Sequence, residues 1–506
     1  MKTVRVIGSL QGDWRRGTVA SVFAAAGFGV LTGWWTPRGP ISTTDALAAI
    51  ALSLAVGACA GVAMRSRWAM LVAPVTFAAV LELARLGTAG PMVDGIHLSS
   101  EMSIAALVLG RGVHGLLTLV PMLLGAVFGA AAARRGNRDR QRHGRARAGL
   151  WVRRTITAAV TLGVMVLAVA IARPASTDPI TGADGTPLNG SVAELVRVPI
   201  GGHDLSMMIR GNSINNPVLL FLAGGPGGSE LGAMRRHDQA LEQDFVVATF
   251  DQRGTGKSYD ALEPTSTMTV AAAVSDAVEV TNYLRDRFHQ NKIYLVGQSW
   301  GTVLGVLAAK QHPELYRAYI GTGQMVDITE TDRVMFADTL TWARRTGNTA
   351  MADQLTQAGP PPYTNMINYA TALSSEADVY PYDHSLNSEG AGGFSTNIFV
   401  KEYSLLEQLH TLAAFLDVAT VIYPQLRDVD LRNQAAQLKV PVYLVQGVHE
   451  VPGRARPAQE WFQLLNAPTK QLIVLGTSGH RAIFEQPAQF HQVMTQTVLP
   501  QTRTHP

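Results

Sequence analysis

The residues of this chain with the clearest chemistry are a serine set between glycines, two glycine-rich loops and a late histidine. Gly297-Gln298-Ser299-Trp300-Gly301 follows the apolar run 293–296 and opens a helical stretch near Thr302. A serine on such a strand-to-helix turn presents its hydroxyl at the edge of the sheet, and the glycines let the two backbones pass closely. Serine needs a base to take its proton, and the base needs a carboxylate to orient it. In this setting the acid and then the histidine follow the serine along the chain. His480, in Gly476-Thr-Ser-Gly-His480 after the apolar run 472–475, suits the base. Glu450, after the run 442–445, suits the acid, and Asp327, after the strand ending near Gly321, is the alternative. Ala223-Gly224-Gly225-Pro226-Gly227-Gly228 follows the run 218–222. A glycine-rich loop there can aim one backbone N–H at a developing oxyanion, with the N–H of Trp300 as the second donor. The expected chemistry is acyl transfer from an ester or amide.

Two other chemistries are weighed and set aside. Gly256-Lys257-Ser258 ends like a phosphate-binding loop, but that motif requires glycine five positions before Gly256, where Asp251 stands. The single cysteine, Cys59, lies in an apolar run, so neither a disulfide framework nor a cysteine metal site is expected. The formal net charge is +4, but the arginines cluster where a membrane protein carries them, so no nucleic-acid partner is expected. The chemistry implies no metal and no organic cofactor.

The elements that would position these residues form a repeating pattern. Short β-rich runs at 218–222, 245–250, 293–296, 318–321, 442–445 and 472–475 alternate with amphipathic segments such as 274–288 and 303–311. Strands alternating with helices argue an α/β fold, a mostly parallel sheet covered on both faces. The interval 325–435 breaks the rhythm with the helical stretches 335–345 and 404–417 and loop formers at 359–362 and 390–393, and reads as a cap inserted between two strands. The core would then comprise 191–324 and 436–506, preceded by a turn-rich linker at 174–190.

Residues 1–173 are different in kind. Five apolar stretches, 17–35, 45–64, 68–86, 113–133 and 155–172, each approach the roughly 20 residues that cross a bilayer as a helix. The apolar run 104–109 allows the fourth to start earlier. The first, led by Lys2, Arg5, Arg15 and Arg16, resembles a signal peptide when taken alone, but four further stretches follow it. Arg65 and Arg67 lie between the second and third, and Arg134, Arg135, Arg138, Arg140, Arg142, Arg145, Arg147, Arg153 and Arg154 between the fourth and fifth. The positive-inside rule with an odd number of spans places everything after Ala172 outside the cytoplasm, in a multi-pass cell-membrane protein. Glu82, Arg111 and His114 sit near span ends and read as groups snorkelling to the interface.

Taken together, Gly224-Gly-Pro-Gly227, Asp251-Gln-Arg-Gly254, Gly297-Gln-Ser-Trp-Gly301 and Ser478-Gly-His-Arg-Ala-Ile-Phe-Glu-Gln-Pro487 resemble the prolyl aminopeptidase (proline iminopeptidase) branch of the α/β-hydrolases over about 190–495. The resemblance implies Ser299 as nucleophile, His480 as general base, Glu450 as triad acid, and Gly225 with Trp300 as oxyanion hole. It departs from the branch at Ala223, where histidine is usual, and at Glu450, where aspartate is usual. The branch holds a substrate amine with cap acids; Glu330, Asp332, Asp338 and Glu402 are available, but none aligns. The expected function is a membrane-anchored hydrolase acting on short peptides at their N-terminus. An esterase or lipase is the alternative, and a silent hydrolase fold that only binds is a third reading. Oligomeric state and natural substrate are not legible.

Overall fold

The structure, a computed structural model, describes residues 2–96, 101–135, 147–363, 367–385, 388–391 and 397–502. Arg138, Arg140, Arg142 and Arg145 of the arginine run, and Gly392 and Gly393 of the cap, lie outside the described residues. The chain divides into two compact units, Met1–Pro174 and Ala175–Pro506.

The first unit is helical: α1 (Lys2–Trp35), α2 (Thr43–Met64), α3 (Ala69–Ala84), α4 (Glu101–Leu107), α5 (Val113–Arg135) and α6 (Arg147–Ala172). A π-helical turn, Val108–Gly112, joins α4 to α5, so the fourth apolar stretch is a continuous helical run, Met102–Arg134. With Trp14–Trp35, Thr43–Met64 and Trp151–Ala172 it makes four helices in this unit long and apolar enough to cross a membrane. The expected third span is a shorter helix of 16 residues. Glycines allow α2 and α5 to approach closely. A Cβ on Gly57 would fall 2.0 Å from the Met122 carbonyl oxygen, and one on Gly125 2.0 Å from that of Leu54, the close small-residue packing of helices in lipid. Glu82 and Arg111 do not reach separately for an interface. Arg111 Nη2 lies 3.0 Å from Glu82, Arg85 pairs with the same carboxylate, and His114 is buried. An ion pair between helices satisfies charges that would otherwise have to find water.

The second unit is built on one eight-stranded sheet. Its strands are β1 (Val192–Ile200), β2 (His203–Gly211), β3 (Val218–Leu222), β4 (Val246–Phe250), β5 (Ile293–Gln298), β6 (Tyr316–Thr322), β7 (Val442–Gly447) and β8 (Lys470–Leu475). They run in the order β1-β2-β4-β3-β5-β6-β7-β8, parallel from β4 to β8. The β1–β2 hairpin, in register from Val192 opposite Gly211 to Ile200 opposite His203, is absent from the strands read in the sequence. Pro199 lies within β1 and disguises it, and it is tolerated because β1 is the sheet's edge. Helices α7 (Val270–Arg287) and α8 (Trp300–Gln311) pack on the central strands. Phe221, Phe245, Tyr294, Tyr443, Phe484 and Phe490 fill a buried core against the sheet.

The interval between β6 and β7 carries α9 (Ile328–Arg345), α10 (Thr349–Ala358) and α11 (Leu405–Ile422). Its two ends meet at an isolated β-bridge between Asp327 and Asp430, and Arg432 there binds Asp327, Glu330, Asp430 and Glu460. Leu405–Asp428 also has the length and composition of a membrane span, yet 56% of an 18-residue apolar stretch within it is buried in this unit. Its apolar face covers protein. The stretch 175–190 is also tied down: Ser176 N–H donates to Lys401 O at 3.0 Å and Thr177 Oγ1 to Glu402 at 3.0 Å. Helix α12 (Pro452–Leu464) follows β7.

Candidate active site

Ser299 occupies the turn between β5 and α8 with φ 51° and ψ −120°. A non-glycine residue there stores roughly 1–3 kcal/mol of strain, held because the surroundings dictate it. Ser299 N–H is fixed to Thr322 O at 3.0 Å on β6. The flanking glycines are dictated by packing. A Cβ on Gly297 would lie 2.5 Å from Gly301 O, and one on Gly301 2.1 Å from Leu222 O. The elbow is tight because β3, β5 and α8 converge on it.

Three loops at this end of the sheet bring the remaining residues together. His480 Nε2 lies 2.9 Å from Ser299 Oγ, and His480 Nδ1 lies 2.7 Å from Glu450 Oε2. Glu450 Oε1 accepts from Arg454 Nε at 2.8 Å and from the Val451 N–H at 3.0 Å. With both oxygens engaged, the carboxylate accepts a hydrogen bond from Nδ1–H, which keeps the proton on Nδ1 and leaves Nε2 as the acceptor for the serine hydroxyl. The Glu450 side chain is 3% exposed. Burial pushes its carboxyl up, but His480 and Arg454 outweigh burial and hold it down at about 2. Arg454 is in turn fixed to Glu376 on the cap. Asp327, the alternative acid, is elsewhere: it caps α9 through the Glu330 N–H at 2.8 Å and pairs with Arg432.

The glycine loop after β3 lies against the serine, since a Cβ on Gly224 would be 3.2 Å from Ser299 Cβ. Gly225 has φ 133°, a backbone state that L side chains rarely adopt. Gly224 N–H donates to Glu230 Oε2 at 2.8 Å. Gln252 braces this loop against the elbow: its Nε2 donates to Ala223 O at 2.9 Å and its Oε1 accepts from the Trp300 indole at 2.9 Å. Trp300 is the first residue of α8, where backbone N–H groups have no partner within the helix.

Asp251, which excluded a phosphate loop, is a buried tie instead. It accepts from Tyr403 OH at 3.0 Å, from Ser229 and from Lys257 N–H at 2.8 Å. Burial pushes its carboxyl up to about 6. Of the cap acids, Asp332 accepts from Tyr423 OH at 2.7 Å, Asp338 from Tyr380 OH at 2.6 Å, and Glu402 pairs with Arg235. Each is thus engaged within the protein. Among the described residues no cluster of histidine, cysteine and acidic side chains is arranged to hold a metal ion.

Gln252, Glu230, Arg454 and Arg481 complete the surroundings of the site, and sequence reading gave none of them a role. Gln252 and Arg481 stand inside the quoted motifs, beside Asp251 and His480, and that adjacency is the available signal.

Comparison with known proteins supports the same fold. Residues 217–356 match the family model described as the alpha/beta hydrolase fold. A probable aminopeptidase, YbaC, of Bacillus subtilis is 28% identical over 321 residues, spanning 61% of this chain and 97% of that protein. The second unit has the α/β-hydrolase fold, and the relatives it resembles include proline iminopeptidases. A proline iminopeptidase of Xylella fastidiosa is 35% identical over 105 residues, covering 21% of this chain and 31% of that protein. The solved structure of a proline iminopeptidase-related protein from Thermus thermophilus matches 62% of this chain and 98% of its own, at 19% identity and a TM-score of 0.44. The α/β-hydrolase unit thus has relatives that are hydrolases, and the chain carries a helical unit ahead of it.

Proposed function

We propose that this protein is a membrane-anchored serine hydrolase that cleaves the N-terminal residue from short peptides on the outer face of the membrane. The observation that carries the reading is the hydrogen-bonded series Ser299–His480–Glu450 on a strained strand-to-helix turn. Ser299 Oγ attacks the carbonyl carbon while His480 Nε2 takes its proton, and Glu450 stabilises the imidazolium that forms. The oxyanion is held by backbone N–H groups. Gly224 N–H is committed to Glu230, which leaves Gly225 as the loop's donor beside Trp300. Collapse expels the amine, which takes the proton from His480. Water, deprotonated by the same histidine, then releases the acid and frees Ser299.

The peptidase reading is supported by the probable aminopeptidase from Bacillus subtilis, nearly all of whose length this chain matches. Membrane anchoring is supported by four long apolar helices in the first unit. Trp151, Ile156, Leu162, Met165 and Val169 of α6 face outward as an uncovered apolar surface, which suits lipid and not water. The basic residues flanking these helices favour the outward orientation.

A fluorophosphonate probe tests the chemistry. Wild-type protein should be labelled and Ser299→Ala should not; equal labelling of both, or of neither, would remove Ser299 from its role. Turnover of proline p-nitroanilide should exceed that of p-nitrophenyl acetate, and the reverse order would make the protein an esterase.

A further inference from the structure

Arg481 follows His480 directly and lies at the centre of a buried charged series. Its Nη1 pairs with Glu230, and its Nε and Nη2 grip Glu389 in a two-pronged contact, the latter at 2.9 Å. Glu230 and Glu389 are 5% and 3% exposed, so each depends on this guanidinium for its charge. The other oxygen of Glu230 accepts the Gly224 N–H at 2.8 Å. Gly224 precedes the proposed oxyanion donor, and its Cα carries no side chain between the loop and Ser299. The peptide plane of Gly224 is therefore fixed by a carboxylate that is itself fixed by the residue after the base.

Glu389 lies in the cap near residues 380–385, which are strapped across the histidine loop at several points. Tyr382 OH donates to Glu485 at 2.7 Å, and the same carboxylate accepts the Gly479 N–H at 3.1 Å. Ser385 bonds Thr477, and Tyr382 stacks on His449 with ring centroids 4.6 Å apart. Asn397 donates to Glu389 and bonds His237 at 3.2 Å. The series Gly224–Glu230–Arg481–Glu389 thus joins the oxyanion loop to the strap through one guanidinium.

We infer that Glu230 and Arg481 are positioning residues for the oxyanion loop, and that Glu389 makes the loop's geometry depend on the strap being seated. This rests on the serine-hydrolase reading. A substrate that seats the strap would tighten Glu389 on Arg481, hold Glu230, and fix the Gly225 N–H where negative charge develops. The device acts on the transition state, because the oxyanion forms only there.

Steady-state turnover of p-nitrophenyl acetate by the full-length protein tests it, with Ser299→Ala alongside. Glu230→Ala should lower kcat by about 10- to 100-fold with KM within about twofold, the scale of a misplaced catalytic group. Glu230→Gln keeps an oxygen for the Gly224 N–H and should recover part of the loss. Glu389→Gln should lower kcat less, and in the double variant Glu230→Gln/Glu389→Gln the two effects should not multiply, because both act through Arg481. If Glu230→Ala does not fold, the two Gln variants and their cycle decide. Wild-type kcat in folded Glu230→Ala, an effect confined to KM, or independent multiplication in the cycle would overturn the proposal. With Ser299→Ala inactive, those results leave the serine reading intact; an active Ser299→Ala would overturn both.

Discussion

Glu450 is held as a carboxylate by His480 and Arg454 although it is almost fully buried. Such an acid orients the base without taking its proton. Glu450→Gln removes that charge and places an amide against Nδ1, which favours the wrong tautomer. The expected outcome is a fall in kcat of about 10²- to 10⁴-fold with the fold retained, checked by p-nitrophenyl ester turnover and circular dichroism. The sign of the pH effect also follows. A carboxyl lowered in the folded state to about 2 contributes stability that is present above its ordinary 4.5 and is lost as pH falls toward 2. Acid unfolding of Glu450→Gln should therefore be shallower than that of wild type across that interval.

The cap carries the opposite case. Asp332 on α9 is buried beside Tyr423, and burial pushes its carboxyl up to about 7. The folded state then binds its proton more tightly than the unfolded chain. Stability from this group is full below about 3.8 and is lost as pH rises toward 7, at up to about 1.4 kcal/mol per pH unit. Asp332→Asn keeps an oxygen for the Tyr423 hydroxyl and cannot ionise. The melting temperature of the variant should gain on wild type between pH 5 and pH 8; a constant difference would show that Asp332 does not titrate in this window. Among the elements, strands β3 to β8 were legible as short β-rich runs, because buried parallel strands are continuously apolar. The β1–β2 hairpin was not, since Pro199 and polar alternation mask an edge strand. Helix α11 matches a membrane span by length and composition; only its burial in the hydrolase unit decides otherwise.

At the scale of the whole chain, a helical unit with four long apolar helices precedes a hydrolase unit. A topology reporter tests the outward assignment. Alkaline phosphatase fused after Pro506, active only outside the cytoplasm, should give activity in cells, and a fluorescent protein that folds only in the cytoplasm should stay dark. The reverse pattern would place the hydrolase inside. The shorter helix Ala69–Ala84 bears on this parity, because an odd number of crossings requires it to span.

The sequence alone determined the α/β class and put a serine on a strand-to-helix turn with glycines on either side. Those features are local: a turn, a run of apolar residues and the spacing between them carry their own chemistry. It also offered two acids, Glu450 and Asp327, and favoured Glu450 only by its place after the strand that precedes the histidine's. The tertiary structure sets Glu450 2.7 Å from His480 and draws Asp327 to Arg432 at the neck of the cap. Glu230, Gln252 and Arg481 became visible only there, because their partners are far away in sequence and a buried charge finds its counter-ion through the fold, not along the chain.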